Sequence, residues 1–139
     1  MNILNRFLKK SQEQIHPLLN KVYPISGTFY RTDKGIFYIK SGKRYKAFSE
    51  SCFKSWCSEA IETAFENLSH IPYGGILGFR DGTIIHNLAD GKIYVVSDGK
   101  RLHLKTPYVY PEGWIEAKKV IVSDQEVNLH KDGLEINAS

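Results

Sequence analysis

This sequence of 139 residues is poor in the features that mark several large classes of protein. Its only cysteines, Cys52 and Cys57, are five positions apart, a spacing that fits neither a zinc knuckle nor a redox pair. No stretch approaches the ~18 consecutive apolar residues of a membrane-spanning helix. The start of the chain lacks the apolar core of a secretory signal, so we expect a soluble protein that folds in a reducing cytoplasm and has no membrane contact.

Charge of one sign is also scarce over most of the chain. The formal net charge is +4, of which residues 1–24 hold +3. The charged residues of that segment are Arg6, Lys9, Lys10 and Lys21 against Glu13. Residues 25–139 hold the other 15 of 19 basic groups and 14 of 15 acidic groups, a balance of +1. A body that binds nucleic acid needs a face of one sign, so this balance disfavours that function for residues 25–139.

The sequence does contain a repeated pattern. Four features occur twice in the same order: a Gly-Thr pair, a predicted strand that contains tyrosine, a Gly-Lys-Arg turn and a tryptophan. The pairs are Gly27 and Gly82, Tyr38 and Tyr94, Gly42-Lys43-Arg44 and Gly99-Lys100-Arg101, and Trp56 and Trp114. Their offsets are 55, 56, 57 and 58 residues. Such a slow drift is what single-residue loop insertions produce in a tandem duplication, so we expect two similar units.

Short runs of β-branched and aromatic residues, separated by turn residues, predict three strands in each copy. Ser41-Gly42, Asp90-Gly91 and Asp98-Gly99 are expected to turn the chain, because aspartate and glycine tolerate the positive φ of tight hairpins. A short helical or turn segment is expected to cap each copy. It includes a helix over residues 60–68 in the first copy and a helical turn begun by Ser123 or Asp124 in the second.

The expected fold class is therefore mainly β, of α+β type. An N-terminal helix is followed by two tandem three-stranded β-meander repeats, each with its cap. The expected divisions are an N-terminal helical arm over residues 1–24, a first β-repeat unit with helix over 25–75, and a second β-repeat unit over 76–139.

Alternation along the third strand predicts which sides of each sheet are buried. Leu102 and Leu104 alternate with Arg101 and His103, so one packed face and one wet face are expected, with the arginine outward. The two tryptophans, Trp56 and Trp114, are expected to be core anchors, since each ends its meander where a cap is needed.

No pattern in the sequence predicts catalysis. Ser51-x-x-Lys54 matches a nucleophile motif of β-lactamases, but those enzymes need companion motifs of another form and a far longer chain. His86 and His103 have no further ligands at metal-site spacing, so we expect two polar surface side chains. The sequence predicts a protein that is not an enzyme and needs no cofactor or metal.

Two features predict surfaces that bind other proteins. The duplicated turns offer four cations, Lys43, Arg44, Lys100 and Arg101, which suit carboxylates or an acidic protein surface. The same charges can instead keep a strand edge soluble. The second feature is the N-terminal arm, whose apolar stripe has no obvious place in a self-contained pair of meanders. Its expected partner-binding residues are Ile3, Leu4, Arg6, Phe7, Leu8, Lys9 and Lys10.

The stretches GTFYRTDKGIFYIKSGKRY and DGTIIHNLADGKIYVVSDGKRLHL, with the continuation GWIEAKKVIVSDQEV, resemble a short β-rich repeat of tailed-phage virion proteins and of some bacterial surface proteins. The resemblance covers about residues 25–136, and the first copy departs from it after Trp56. It implies a non-enzymatic assembly module that carries no catalytic residues.

The expected function is therefore a structural component of a virion, assembled in the host cytoplasm. It would be present in multiple copies in a symmetric assembly and bound to other virion structural proteins, with the tail, neck or baseplate favoured over capsid decoration. One alternative is a cell-surface or glycan-binding module with an exposed aromatic patch from Tyr30, Tyr108 and Tyr110. Another is a nucleic-acid-binding accessory protein, resting on the basic arm and the Gly-Lys-Arg turns.

Overall fold

The computed structural model describes residues 24–105 and 110–135 of the protein. Within these ranges the chain is mainly β, with two five-stranded sheets and a few short helices, which confirms the expected class at that level. The predicted N-terminal arm over residues 1–24 lies, except for Pro24, outside the described residues. The chain divides into two compact units, and residues 46–59 group with the second unit rather than with the first.

The first sheet has the strand order β4-β1-β2-β3-β5. Its strands are β1 (Phe29–Thr32), β2 (Gly35–Lys40), β3 (Lys43–Ala47), β4 (Ile61–Glu62) and β5 (Tyr73–Leu77). A single 3-10 turn, Phe65–Asn67, lies between β4 and β5. The apolar core of the first unit consists of Tyr30, Phe37, Ile39, Leu68 and Ile71, with Phe65 packed against it.

The second sheet has the strand order β10-β8-β7-β6-β9. Its strands are β6 (Ile84–Asn87), β7 (Lys92–Ser97), β8 (Lys100–His103), β9 (Val120–Val122) and β10 (Lys131–Asp132). The second unit also contains the helices α1 (Glu50–Trp56), α2 (Trp114–Lys118) and α3 (Asp124–Val127). Ser49 caps α1, and Ser123 caps α3 in a capping box with Glu126, as the sequence predicted for Ser123.

Counted within each sheet, the strand order is the same. The first three strands are consecutive neighbours, the fourth lies beside the first and parallel to it, and the fifth lies beside the third. Tyr30 faces Phe37 across the first hairpin, and Ile85 faces Tyr94 across the corresponding hairpin of the second sheet. Phe37 rather than Tyr38 is therefore the register counterpart of Tyr94, which corrects the expected pairing by one residue.

The hairpin loops explain that correction. Two residues join β1 to β2, and four join β6 to β7. The residue offset between equivalent positions of the two sheets thus changes from 55 to 57 at one loop, instead of drifting one residue at a time. The next turns have equal lengths. Ser41 and Gly42 have φ of 50° and 77°, and Asp98 and Gly99 have φ of 53° and 75°, the positive values that a tight two-residue hairpin requires.

Two sequence expectations about the surroundings of the sheets are wrong. Residues 60–68 do not form a helix, because Ile61 and Glu62 pair with β1 and only Phe65–Asn67 make a 3-10 turn. In the second sheet the face that carries Arg101 and His103 is not exposed as expected, because it is the face of the buried Val96 and Tyr94. One side packs against Cys52 and Val127, and the other side packs against Ile115. Leu104 is buried as expected.

We predict that Ile85→Ala destabilises the protein by about 2–5 kcal/mol, because Ile85 is fully buried between strands and helices of the second unit. Ile121→Ala is the matched control. Ile121 lies on the neighbouring strand β9 but is 49% exposed, so its loss is expected to change stability by only about 0.5 kcal/mol. Denaturant titration measures both values, and equal losses would contradict the assigned core.

Candidate functional site

The first Gly-Lys-Arg turn places Arg44 at the start of β3, among aromatic rings. Its guanidinium lies 5.8 Å from the ring centre of Phe37, 5.2 Å from that of Phe65 and 5.7 Å from that of Tyr73. It also donates a hydrogen bond to the carbonyl of Ile71. Cation–π attraction grows where water is excluded, so this half-buried arginine holds strands and loop of the first unit together.

The second turn places Arg101 in a corresponding position. Its guanidinium lies 5.3 Å from the ring centre of Tyr94, and its Nη1 donates to the carbonyl of Val127 at 3.2 Å and to Asn128 Oδ1 at 2.9 Å. Its Nε donates to Asp132 on β10 at 2.7 Å. Arg101 therefore ties β8 to the ring on β7, to the end of α3 and to the edge strand.

These contacts set the protonation of the groups around Arg101. The hydrogen bond and the charge of Arg101 hold the pKa of Asp132 below its usual range, and the same hydrogen bond raises the pKa of Arg101. Burial, followed by the charge of Asp90, raises the pKa of Tyr94. All three groups keep their ordinary neutral-pH charge states.

The four cations of the predicted turn site therefore do not form one exposed group. Arg44 and Arg101 are directed inward, against the expectation that they point to solvent, whereas Lys43 and Lys100 are exposed. Binding of a partner by Lys43, Arg44, Lys100 and Arg101 stays a prediction, and the lysines are the groups a partner can reach without breaking internal contacts. The arm residues Ile3, Leu4, Arg6, Phe7, Leu8, Lys9 and Lys10 lie outside the described residues.

A second candidate site is an open cleft beside α2. Gly113 adopts a φ of 81°, and α2 begins at Trp114 directly after it. The buried Ile115 packs against Ile84 and Leu104, which seats α2 on the sheet. The cleft has a volume of about 560 Å³. It is lined by Ile93, Tyr110, Pro111, Glu112, Ile115 and Glu116.

Trp114 is not the core anchor expected from the repeat. Its side chain is 42% exposed, with the ring of Tyr110 parallel to it at 6.1 Å and the ammonium of Lys118 at 5.3 Å. Trp56 is half-buried, and its Nε1 donates to the carbonyl of Gly78 at 2.8 Å. The physical reason is position, because Trp56 ends α1 whereas Trp114 begins α2, so the two indoles are not equivalent.

The residues weighed for catalysis or metal binding are not brought together. His86 pairs with Ile93 and His103 pairs with Tyr94, and consecutive residues of β7 point to opposite faces, so the histidines do too. Ser51 and Lys54 lie on α1, where Lys54 is exposed. Across residues 24–105 and 110–135, no group of three or more His, Cys, Asp or Glu side chains could hold a metal ion.

Two sets of buried side-chain hydrogen bonds in the second unit were not predicted from the sequence. Phe79 N–H donates to His130 Nε2 at 3.0 Å, so the ring proton is on Nδ1, which lies 2.8 Å from the carbonyl oxygen of Gly99. Ser49 donates to the buried carboxylate of Glu126, joining the cap of α1 to that of α3. Only the Ser-x-x-Glu spacing of the capping box could have been found from the sequence.

Neither a protein-family model, nor a curated protein, nor a solved structure matches this chain. In the part of the chain that the structure describes, the helices are all too short or too polar to cross a bilayer.

We predict that Ile115→Ala costs about 2–5 kcal/mol of stability, because Ile115 is buried under α2. Trp114→Ala is expected to cost only about 1 kcal/mol, because this larger side chain is 42% exposed. Denaturant unfolding of the two neighbouring variants measures the difference. If Trp114→Ala lost more stability than Ile115→Ala, the assignment of Trp114 to the surface would be wrong.

We predict that Arg101→Gln raises the pKa of Asp132 toward its ordinary value of 3.8, because both lowering contributions of Arg101 are removed. A lowered folded-state pKa stabilises the fold above the unfolded-state pKa, and this contribution is lost as pH falls through the folded value. Carboxyl-carbon NMR titration measures the change, with Lys100→Gln as the control at the adjacent exposed cation. An unchanged Asp132 titration in Arg101→Gln would mean that the pair does not form.

Proposed function

We propose that this chain is a tandem duplication that serves as a non-enzymatic structural component of a tailed-phage particle. It acts by docking to other virion proteins, in several copies, in the tail, neck or baseplate rather than as a capsid decoration. The observation that carries the proposal is the identical strand order of the two sheets, with Tyr30 and Phe37 in the first at the register positions of Ile85 and Tyr94 in the second.

Repeated local contacts support the duplication. Gly27 N–H donates to the carbonyl of Ile39 at 2.7 Å, and Gly82 N–H donates to that of Val96 at 2.6 Å. Both glycines have φ near 90°, at 90° and 92°. The arginine over an aromatic ring also recurs in each unit. Unrelated meanders would have no reason to share these details, whereas two copies of one ancestral segment would keep them.

The resemblance to a phage repeat and the distribution of charge support the docking role. Residues 1–24 hold +3 of the net charge beside an apolar stripe, a combination that suits insertion between subunits. The exposed Lys43 and Lys100 add a second place for acidic groups of a neighbour. The ring contacts of Arg44 and Arg101 favour a structural role for the arginines themselves.

The glycan-binding alternative loses one of its expected residues. Tyr30 is fully buried, so it cannot belong to an exposed aromatic patch. Tyr108 lies outside the described residues, and Tyr110 is half-buried beside Trp114. The nucleic-acid alternative still rests on the basic arm and predicts DNA binding that falls steeply with salt.

We predict that a chain lacking residues 1–21 folds as a body but no longer joins its particle, because the charged apolar arm is the docking element. Mass spectrometry of purified virions, comparing copy number of the full and truncated chains, measures incorporation, and circular dichroism of the purified truncated chain checks its fold. The double variant Lys9→Gln, Lys10→Gln keeps the full length of the arm and tests the contribution of these two charges alone. If the truncated chain were present in virions at the same copy number as the full chain, the arm would not be the docking element. Absence of the full chain from every virion would reject the proposed function.

A further inference from the structure

We propose that the cleft beside α2 binds the N-terminal arm of a second copy of this chain. The inference deepens the proposed function and rests on it, because it takes the arm as the assembly element. The cleft has a volume of about 560 Å³ and is open to solvent. Its lining joins an apolar part, Ile93, Tyr110, Pro111 and Ile115, to two exposed carboxylates, Glu112 and Glu116.

The composition of the arm is complementary to that lining. Ile3, Leu4, Phe7 and Leu8 recur at the spacing of one helix face, and such a face lies in apolar grooves through anchors at these intervals. Arg6, Lys9 and Lys10 adjoin the stripe. An apolar floor beside carboxylates therefore matches an apolar stripe beside cations.

One carboxylate of the cleft is available for such a cation. Glu116 already accepts from Lys119 at 2.9 Å. Glu112 makes no hydrogen bond or ion pair with any other residue that the structure describes. Lys118, the other nearby cation, lies over the Trp114 ring. An arm cation beside Glu112 would complete the charge pairing at this site.

The length of the arm allows it to reach a neighbouring molecule. Twenty-three residues precede Pro24. A docked helix over residues 3–15 would be about 20 Å long, and the eight residues from 16 to 23 would span up to about 27 Å when extended. Each copy carries both the arm and the cleft, so two copies can exchange arms in a closed dimer, or successive copies can dock head to tail into rings or filaments. That is the kind of contact a multi-copy virion component needs.

Cysteine cross-linking in the full-length chain tests this contact. One chain carries Leu8→Cys, and a second, isotope-labelled chain carries Glu116→Cys, both with Cys57→Ser. They are mixed in equal amounts with a short bis-maleimide. We expect about fivefold more mixed dimer than with the control Gln125→Cys, an exposed position of the same unit, because a bound arm has a high effective concentration at the cleft.

Charge exchange tests the chemistry of the same contact. Glu112→Lys in the cleft chain is expected to lower the mixed-dimer yield about fivefold, through loss of attraction and added repulsion. Lys9→Glu with Lys10→Glu in the arm chain should restore it. Equal yields at positions 116 and 125, or no response to the charge exchange, would overturn the proposal. A third chain that carries both Leu8→Cys and Glu116→Cys tests for docking within one molecule, and cross-links that form only within this chain would also overturn the proposal.

These outcomes are separable from those of the proposed function. Virion incorporation of the chain lacking residues 1–21 tests the arm as an assembly element, whereas cross-linking of the purified protein tests where the arm binds. Loss of incorporation together with equal cross-linking yields would keep the first proposal and reject the second.

Discussion

Each unit depends on one guanidinium that lies over the ring of the neighbouring strand, Arg44 over Phe37 and Arg101 over Tyr94. Each also donates to a carbonyl close before the last strand of its sheet, Ile71 or Val127. The last strand of the second sheet, β10, has only two residues and so few ladder bonds of its own, whereas β5 has five. The arginine therefore fixes the edge of the sheet to its centre, and removing it would release strand, loop and ring together.

That constraint explains why the sequence predicted the Gly-Lys-Arg turns but not the inward direction of their arginines. The positive φ of Gly42 and Gly99 is a local requirement, so the turn pairs predicted the hairpins correctly. The direction of the arginine side chains, in contrast, depends on the tertiary packing around them. Alternation along β8 placed Arg101 away from Leu102, which is true, but the face that carries Arg101 also packs against buried residues. A charged side chain can thus be inward without breaking the alternation.

The failures of sequence reasoning have similar physical causes. Ile61 and Glu62 pair with β1 over two residues, too few to show strand periodicity, and their apolar neighbours imitate a helical stripe. Trp114 was assigned to the core through its match to Trp56, but the segments after the third strands differ in length, so equal residue types occupy opposite helix ends. The cleft was unpredictable because Ile93 and Ile115 meet only in the fold.

The same arrangement decides which groups remain for binding. An arginine that is engaged by a ring and by carbonyls loses those contacts if a partner takes it, so its use in docking costs stability. Exposed lysines such as Lys43 and Lys100 carry no such cost, and neither does Glu112 at the α2 cleft. Both units contain an inward arginine, Arg44 in the first and Arg101 in the second, and an exposed lysine directly before it. The helices that follow the two third strands differ, since Trp56 ends α1 whereas Trp114 begins α2, and the surface we propose for a specific partner lies beside α2, where that difference falls.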